Sequence, residues 1–291
     1  MNVIMNIPYN VMIRSIFFSL VSVVLFLSCA TDNNEIAEKE NLEYEALTNV
    51  SYGNDPKQKY DIYLPKNRTK DTKVLLLVHG GGWREGDKLE MNSFRDFFRE
   101  QLPDIAIVNM NYRLADANHP PHPMQINDIT KVVDDLKAKG KTYQIGTDLG
   151  FVGVSAGAHL SLLWSYAYDT NNQIKMVCSI VGPTNLADEA YSNSENQELK
   201  DLIFQFGTDI DVLKSVSPLY QVTASAPPTI LFYGGQDPLI PNSQGIDLNQ
   251  KLTELGVTQE FTFYPNSGHG WLGLELLDTS IKLRAFIENH F

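Results

Sequence analysis

The chain has 291 residues, long for an average domain but ordinary for a single α/β domain. Hydrophobic residues at 43% and charged residues at 20% supply enough apolar side chain for a substantial core. The 35 acids against 23 bases leave a net charge of −12 with no Lys/Arg run, so nucleic acid and anionic lipid surfaces, both held by clustered bases, are excluded as expected partners.

In chain order, the first feature is a leader. Arg14 precedes the almost wholly apolar or small stretch 15–28, and Cys29 follows. Such a stretch is too short to span a bilayer and fits the apolar region of a signal peptide. Phe26-Leu27-Ser28-Cys29 looks like a bacterial lipobox, with Phe26 where Leu is more usual. The expectation is an export signal over 1–28, starting at Met1, Met5 or Met12, with lipid attached at Cys29. That lipid would be the only membrane anchor, on the periplasmic or cell-surface side. Residues 29–42 are polar, acidic and aperiodic, which reads as a solvated tether.

From 43 to the end, strand-like and helix-like segments alternate. Segments 43–50 and 60–64 form an opening pair of strands around the turn signal Asn54-Asp55-Pro56. The run 74–78 is fully apolar, as expected of a strand buried on both faces of a parallel sheet. Phe94, Phe97, Phe98 and Leu102 have helical spacing, and a strand follows at 105–108. Ile126, Ile129, Val132, Val133 and Leu136 predict a helix over 124–138 that ends at Gly140. Then come strand 150–154, helix 156–166, strand 176–181, an irregular stretch 183–226, strand 229–233, helix 243–255, strand 260–264 and a closing helix 274–289. Strands alternating with helices predict one α/β domain over 43–291, an eight-stranded, mostly parallel sheet with helices on both faces. The stretch 183–226, with Tyr191, Phe204, Phe206 and Tyr220, is too short for a large cap domain and reads as a pocket wall.

Gly153-Val154-Ser155-Ala156-Gly157 lies where a strand meets a helix. A tight turn there lifts the Ser155 hydroxyl above the sheet edge and aims a helix N-terminus at developing negative charge. His79-Gly80-Gly81-Gly82-Trp83 directly follows strand 74–78, and its successive glycines leave backbone N–H groups bare for an oxyanion. Among the histidines after Ser155, His159 sits one turn into the following helix and His290 is penultimate. His269, in the loop Ser267-Gly268-His269-Gly270, is free to reach over the serine as base. Asp237, after strand 229–233, supplies the acid in the order Ser, Asp, His; Asp201, Asp209 and Asp211 follow no credible strand.

HGGGW, the NYRL segment from Asn111 to Leu114, GVSAG, GGQDPLIP and SGHGW together resemble the hormone-sensitive-lipase-like esterases of the α/β-hydrolase fold. Within them, the chain is most similar to the BD-FAE carbohydrate-esterase-like and kynurenine-formamidase-like group. The resemblance spans roughly 44–291 and implies an oxyanion hole formed by Gly81, Gly82 and Ala156. The chain departs from larger lipase relatives in lacking a long N-terminal cap. The implied activity is serine carboxylic-ester hydrolysis through an acyl-enzyme, on short acyl or feruloyl esters of carbohydrates, with no metal or organic cofactor. The alternatives are aryl-formamidase activity on N-formylkynurenine and a non-catalytic binding module on the same fold. His119 and His122 stand in a Pro-rich loop without further ligands, so they are expected to wall the site rather than hold zinc. Cys178, in an apolar run, is expected to be a small core residue.

Overall fold

The computed structural model describes residues 42–291; the expected leader, Cys29 and all but the last residue of the tether lie outside the described residues. The strands are β1 (Glu45–Ser51), β2 (Lys59–Leu64), β3 (Val74–Val78), β4 (Ala106–Met110), β5 (Leu149–Val154), β6 (Ile174–Ile180), β7 (Thr229–Gly234) and β8 (Gln259–Tyr264). They form one sheet in the order β1-β2-β4-β3-β5-β6-β7-β8. Strand β2 runs antiparallel to both β1 and β4, and every other pairing is parallel.

The apolar run of β3 shows why the sheet is covered twice. Val74, Leu76 and Val78 join one core cluster, while Leu75 and Leu77 join the other. Successive side chains point to opposite faces, so a strand apolar at every position needs helices on both. On the first face lie α2 (Pro121–Tyr143) through Ile126, Ile129, Val132, Val133 and Leu136, α3 (Ala156–Ala167) and α8 (Ser243–Glu254). On the second lie α1 (Asn92–Gln101), through Phe98, and α9 (Leu274–His290), through Leu283, Phe286 and Ile287. Cys178 is fully buried in this second cluster, and burial pushes its thiol pKa well up.

Two expectations are corrected. Helix α2 does not end at Gly140: it continues to Tyr143, and Gln144 adopts the left-handed conformation (φ 52°) with its N–H donating to the Gly140 carbonyl. A Cβ on Gly140 would fall 3.3 Å from the Ile145 carbonyl oxygen, so the site leaves little room for a side chain. The stretch 183–226 is not irregular but holds four short helices: α4 (Glu189–Ser192), α5 (Gln197–Phe204), α6 (Ile210–Ser215) and α7 (Pro218–Gln221). Local caps define three of them, since Asp188, Asn196 and Asp209 each accept from N–H groups of the first turn. Too few turns carry an apolar stripe for periodicity to reveal such helices.

Candidate active site

The parallel strands deliver their following loops to one edge of the sheet, where β3, β5, β7 and β8 end in loop 79–83, the Ser155 turn, the Asp237 loop and the His269 loop. A crevice outside the carboxyl ends of the strands is the expected ligand position in open α/β sheets.

Ser155 has φ 53° and ψ −121°, a backbone state costly for any side-chain-bearing residue. The surroundings enforce it. A Cβ on Gly157 would fall 2.2 Å from the Val78 carbonyl oxygen, and one on Gly153 would fall 2.5 Å from the Gly157 oxygen. Only bare Cα atoms let the turn pack this tightly against β3, and the Ser155 N–H is tied to the Ile180 carbonyl at 2.8 Å.

His269 Nε2 lies 3.0 Å from Ser155 Oγ, and His269 Nδ1 lies 2.7 Å from Asp237 Oδ2. A carboxylate can only accept, so Nδ1 carries the proton and the Nε2 lone pair faces the serine hydroxyl. The Asp237 side chain is 1% exposed. Its other oxygen accepts from the N–H groups of Leu239 and Ile240 at 2.8 and 3.0 Å. A buried carboxylate with three donors is fixed in place facing the imidazole.

Ser155, Ala156, His269, Gly81 and Gly82 line one cavity of about 660 Å³. Its walls mix charge (Arg84, Glu85, Glu90, Glu198) with apolar surface (Phe94, Leu199, Leu202, Ile203, Leu239, Ile240). The Tyr191 hydroxyl, on the same wall, is buried without a hydrogen-bond partner among the described residues, and burial pushes its pKa well up. Sequence reading named Tyr191 as wall or packing and did not find Glu198, because α5 reaches the cavity only through long-range packing.

Loop 79–83 is anchored to distant parts of the chain. The Trp83 carbonyl accepts from Gln125 Nε2 at 2.7 Å and from the Ala115 N–H at 2.8 Å. The Trp83 indole N–H donates to His159 Nδ1 at 3.2 Å, and His159 Nε2–H donates to the Val216 carbonyl at 2.8 Å. Full burial lowers the His159 pKa to about 4, so it is a neutral strut between this loop and the α6–α7 region. Phe206 packs edge-on against both rings. Leu202 and Gln205 Nε2 (3.2 Å to the Gly82 oxygen) bring the α5 end over the loop.

The other candidate acids are elsewhere. Asp209 caps α6, Asp201 accepts from Gln197, and Asp211 lies in the first turn of α6. His290 packs on Phe286. His119 pairs with Asp116, and His122 Nε2 meets the Tyr168 hydroxyl at 3.0 Å, so the two histidines face different partners. Among the described residues no group of three or more His, Cys, Asp or Glu is arranged to hold a metal.

The strand order, the strained Ser155 turn and the Ser, Asp, His sequence order define an α/β-hydrolase. Within that class the chain belongs to the BD-FAE family, whose model matches residues 60–252. Among curated relatives, the chain is 29% identical over 249 residues to the esterase LipC of Mycobacterium tuberculosis, covering 79% of this chain and 60% of the relative. It is 28% identical over 138 residues to the kynurenine formamidase of Salmo salar, covering 45% of this chain and 44% of that one. The chain spans between half and three fifths of the length of the first curated relatives it matches. A solved truncated form of a carbohydrate esterase from gut microbiota superposes with a TM-score of 0.69 at 21% identity, covering 85% of this chain and 98% of that structure, a likeness of fold.

Proposed function

We propose that the protein is a serine carboxylic-ester hydrolase acting on short acyl or feruloyl esters of carbohydrates. The observation that carries this reading is the continuous hydrogen-bonded line from Ser155 Oγ through the His269 imidazole to buried Asp237. His269 takes the hydroxyl proton as Ser155 attacks the ester carbonyl, and Asp237 stabilises the imidazolium that results. The N–H groups of Gly81, Gly82 and Ala156 receive the oxyanion. His269 then protonates the leaving alcohol, and water hydrolyses the acyl-enzyme by the same steps in reverse order. All of this chemistry is supplied by side chains and backbone, so the reaction needs no metal or organic cofactor.

The carbohydrate part of the reading is supported by the family membership and by the charged wall of Arg84, Glu85, Glu90 and Glu198, which offers donors and acceptors to a polyhydroxylated alcohol. The N-terminal sequence supports a further part of the proposal: export, lipidation at Cys29 and attachment to a membrane through that lipid alone. A second reading, aryl-formamidase, is favoured by the match to a kynurenine formamidase, since formamide cleavage is acyl transfer through the same groups.

Rates on p-nitrophenyl acetate, butyrate and octanoate, methyl ferulate, acetylated xylan and N-formylkynurenine separate these readings. Turnover of short esters, methyl ferulate or acetylated xylan is the expected result. Turnover of N-formylkynurenine alone would move the protein to the formamidases, and no turnover at all would favour a binding module.

A further inference from the structure

The NYRL segment lies outside the line of groups that carry the reaction, yet one of its side chains reaches the loop facing Ser155. The Tyr112 hydroxyl donates to the carbonyl oxygens of His79 at 2.9 Å and Gly80 at 3.0 Å. Its ring is fully buried and stacks on the His79 imidazole, with centroids 4.3 Å apart and planes 9° from parallel. His79 Nδ1–H donates to the same Gly80 oxygen at 2.8 Å.

The Gly80 carbonyl and the Gly81 N–H belong to one peptide plane. The only cis peptide among the described residues is His122–Pro123, so this one is trans and its C=O and N–H point in opposite directions. Holding the oxygen in the buried Tyr112–His79 stack therefore turns the Gly81 N–H the other way, and Gly81 lines the cavity with Ser155. Neither the Gly81 nor the Gly82 N–H makes a hydrogen bond among the described residues. A peptide between two glycines has no side chain of its own to fix its orientation, so the restraint comes from His79 at the start of the loop and from Tyr112 outside it.

We propose that Tyr112 is a positioning residue: by clamping the Gly80 carbonyl it aims the Gly81 N–H at the oxyanion formed on Ser155 chemistry. The proposal rests on the reading of the protein as a serine ester hydrolase. Tyr112 touches no substrate and acts through the peptide it holds. Its effect belongs to the transition state, where the oxyanion exists, and not to ground-state binding.

Tyr112→Phe keeps the stacked ring and removes the donor. The matched control is Tyr52→Phe: Tyr52 is buried, and its hydroxyl donates to the carbonyl of Asn111, the residue before Tyr112, at 2.7 Å. Three quantities are measured in each variant: kcat and KM on p-nitrophenyl acetate, the Kd of phenylboronic acid, whose tetrahedral adduct on Ser155 mimics the oxyanion, and the urea midpoint. Tyr112→Phe should lower kcat by about 10-fold, less than the 10²- to 10³-fold typical of removing an oxyanion donor outright. KM should stay within about two-fold, and boronate affinity should fall by the same factor as kcat/KM. Tyr52→Phe should lower the urea midpoint comparably and leave kcat and boronate affinity at wild-type values.

An unchanged kcat in Tyr112→Phe, or equal kcat losses in the two variants, would overturn the proposal. So would a rise in KM at constant kcat. If Tyr112→Phe does not fold, His79→Phe removes the other donor to the Gly80 oxygen while keeping the stack. Full activity and full boronate affinity in His79→Phe would equally overturn the clamp. A wild-type protein that neither hydrolyses esters nor binds boronate would remove the parent reading instead.

Discussion

The Ser155 turn and loop 79–83 face each other across one cavity and keep their shapes by different means. The turn is held by close backbone packing: a Cβ on Gly153 would meet the Gly157 carbonyl, and one on Gly157 would meet the carbonyls of Val78 and His79, so Ser155 is kept at φ 53°. Loop 79–83 has the opposite character. Its glycines impose little, and its carbonyls are held by Tyr112, Gln125 and Gln205, which lie 32, 42 and 123 residues away in sequence. Close backbone approach demands glycine at fixed positions and so leaves a motif readable in five residues, whereas anchoring by remote side chains makes the loop's shape a property of the whole fold.

Substitutions in the turn and in the supports of the loop should differ in size of effect. The largest effect is expected at the turn's own hydroxyl: Ser155→Ala should cut kcat by about 10⁴-fold or more while leaving the urea midpoint near wild type. An active, folded Ser155→Ala protein would remove the nucleophile assignment. Next is Gly157→Ala, which places a Cβ 2.2 Å from the Val78 oxygen and 2.3 Å from the His79 oxygen. With backbone on both sides and nothing flexible to yield, the loss of stability should be about 4 kcal/mol or more by urea unfolding. A loss under about 1 kcal/mol would show that the turn is not sterically fixed.

Acid should act through the remote supports. Burial lowers His79 and His159 from 6.5 to about 4, so both are neutral when folded and become charged on unfolding. The unfolded chain then binds more protons between these values. Stability is full above pH 6.5, declines as pH falls toward 4 and flattens below it, by up to roughly 3 kcal/mol per histidine. Urea midpoints measured across this range test the slope, which His159→Gln should reduce by about half. The smallest effect is expected for Gln205→Ala, which removes one bond to the Gly82 carbonyl. It should lower kcat about two- to five-fold, the scale of a single neutral hydrogen bond, and a 100-fold loss would mean that α5 governs the loop.

Much of the fold follows from periodicity. The alternate burial of β3 on two faces, the helical stripe of Ile126 to Leu136 and the succession of strands and helices predict a doubly covered, mostly parallel sheet. The features that escaped sequence reading share a cause. Helix α2 passes through Gly140 because tertiary packing outweighs a propensity cost of about 1 kcal/mol. The helices of 183–226 are one or two turns long, three of them start at side-chain caps, and Phe206 between α5 and α6 packs on Trp83 and His159. The antiparallel pairing of β2 with β4 sets Tyr60 against Met110, residues so far apart along the chain that no local pattern specifies it.

The order of the eight strands and of the long helices, the two-sided core and the candidacy of Ser155, Asp237 and His269 were legible in the chain, because each rests on side chains a few residues apart or on loops that follow recognisable strands. It takes the folded sheet to bring His269 Nε2 within 3.0 Å of Ser155 Oγ, to set the Leu239 and Ile240 N–H groups on Asp237, and to place Tyr112 on the Gly80 carbonyl. Those distances join residues up to 114 positions apart. They arise from how the sheet stacks its strands, and no local pattern carries them.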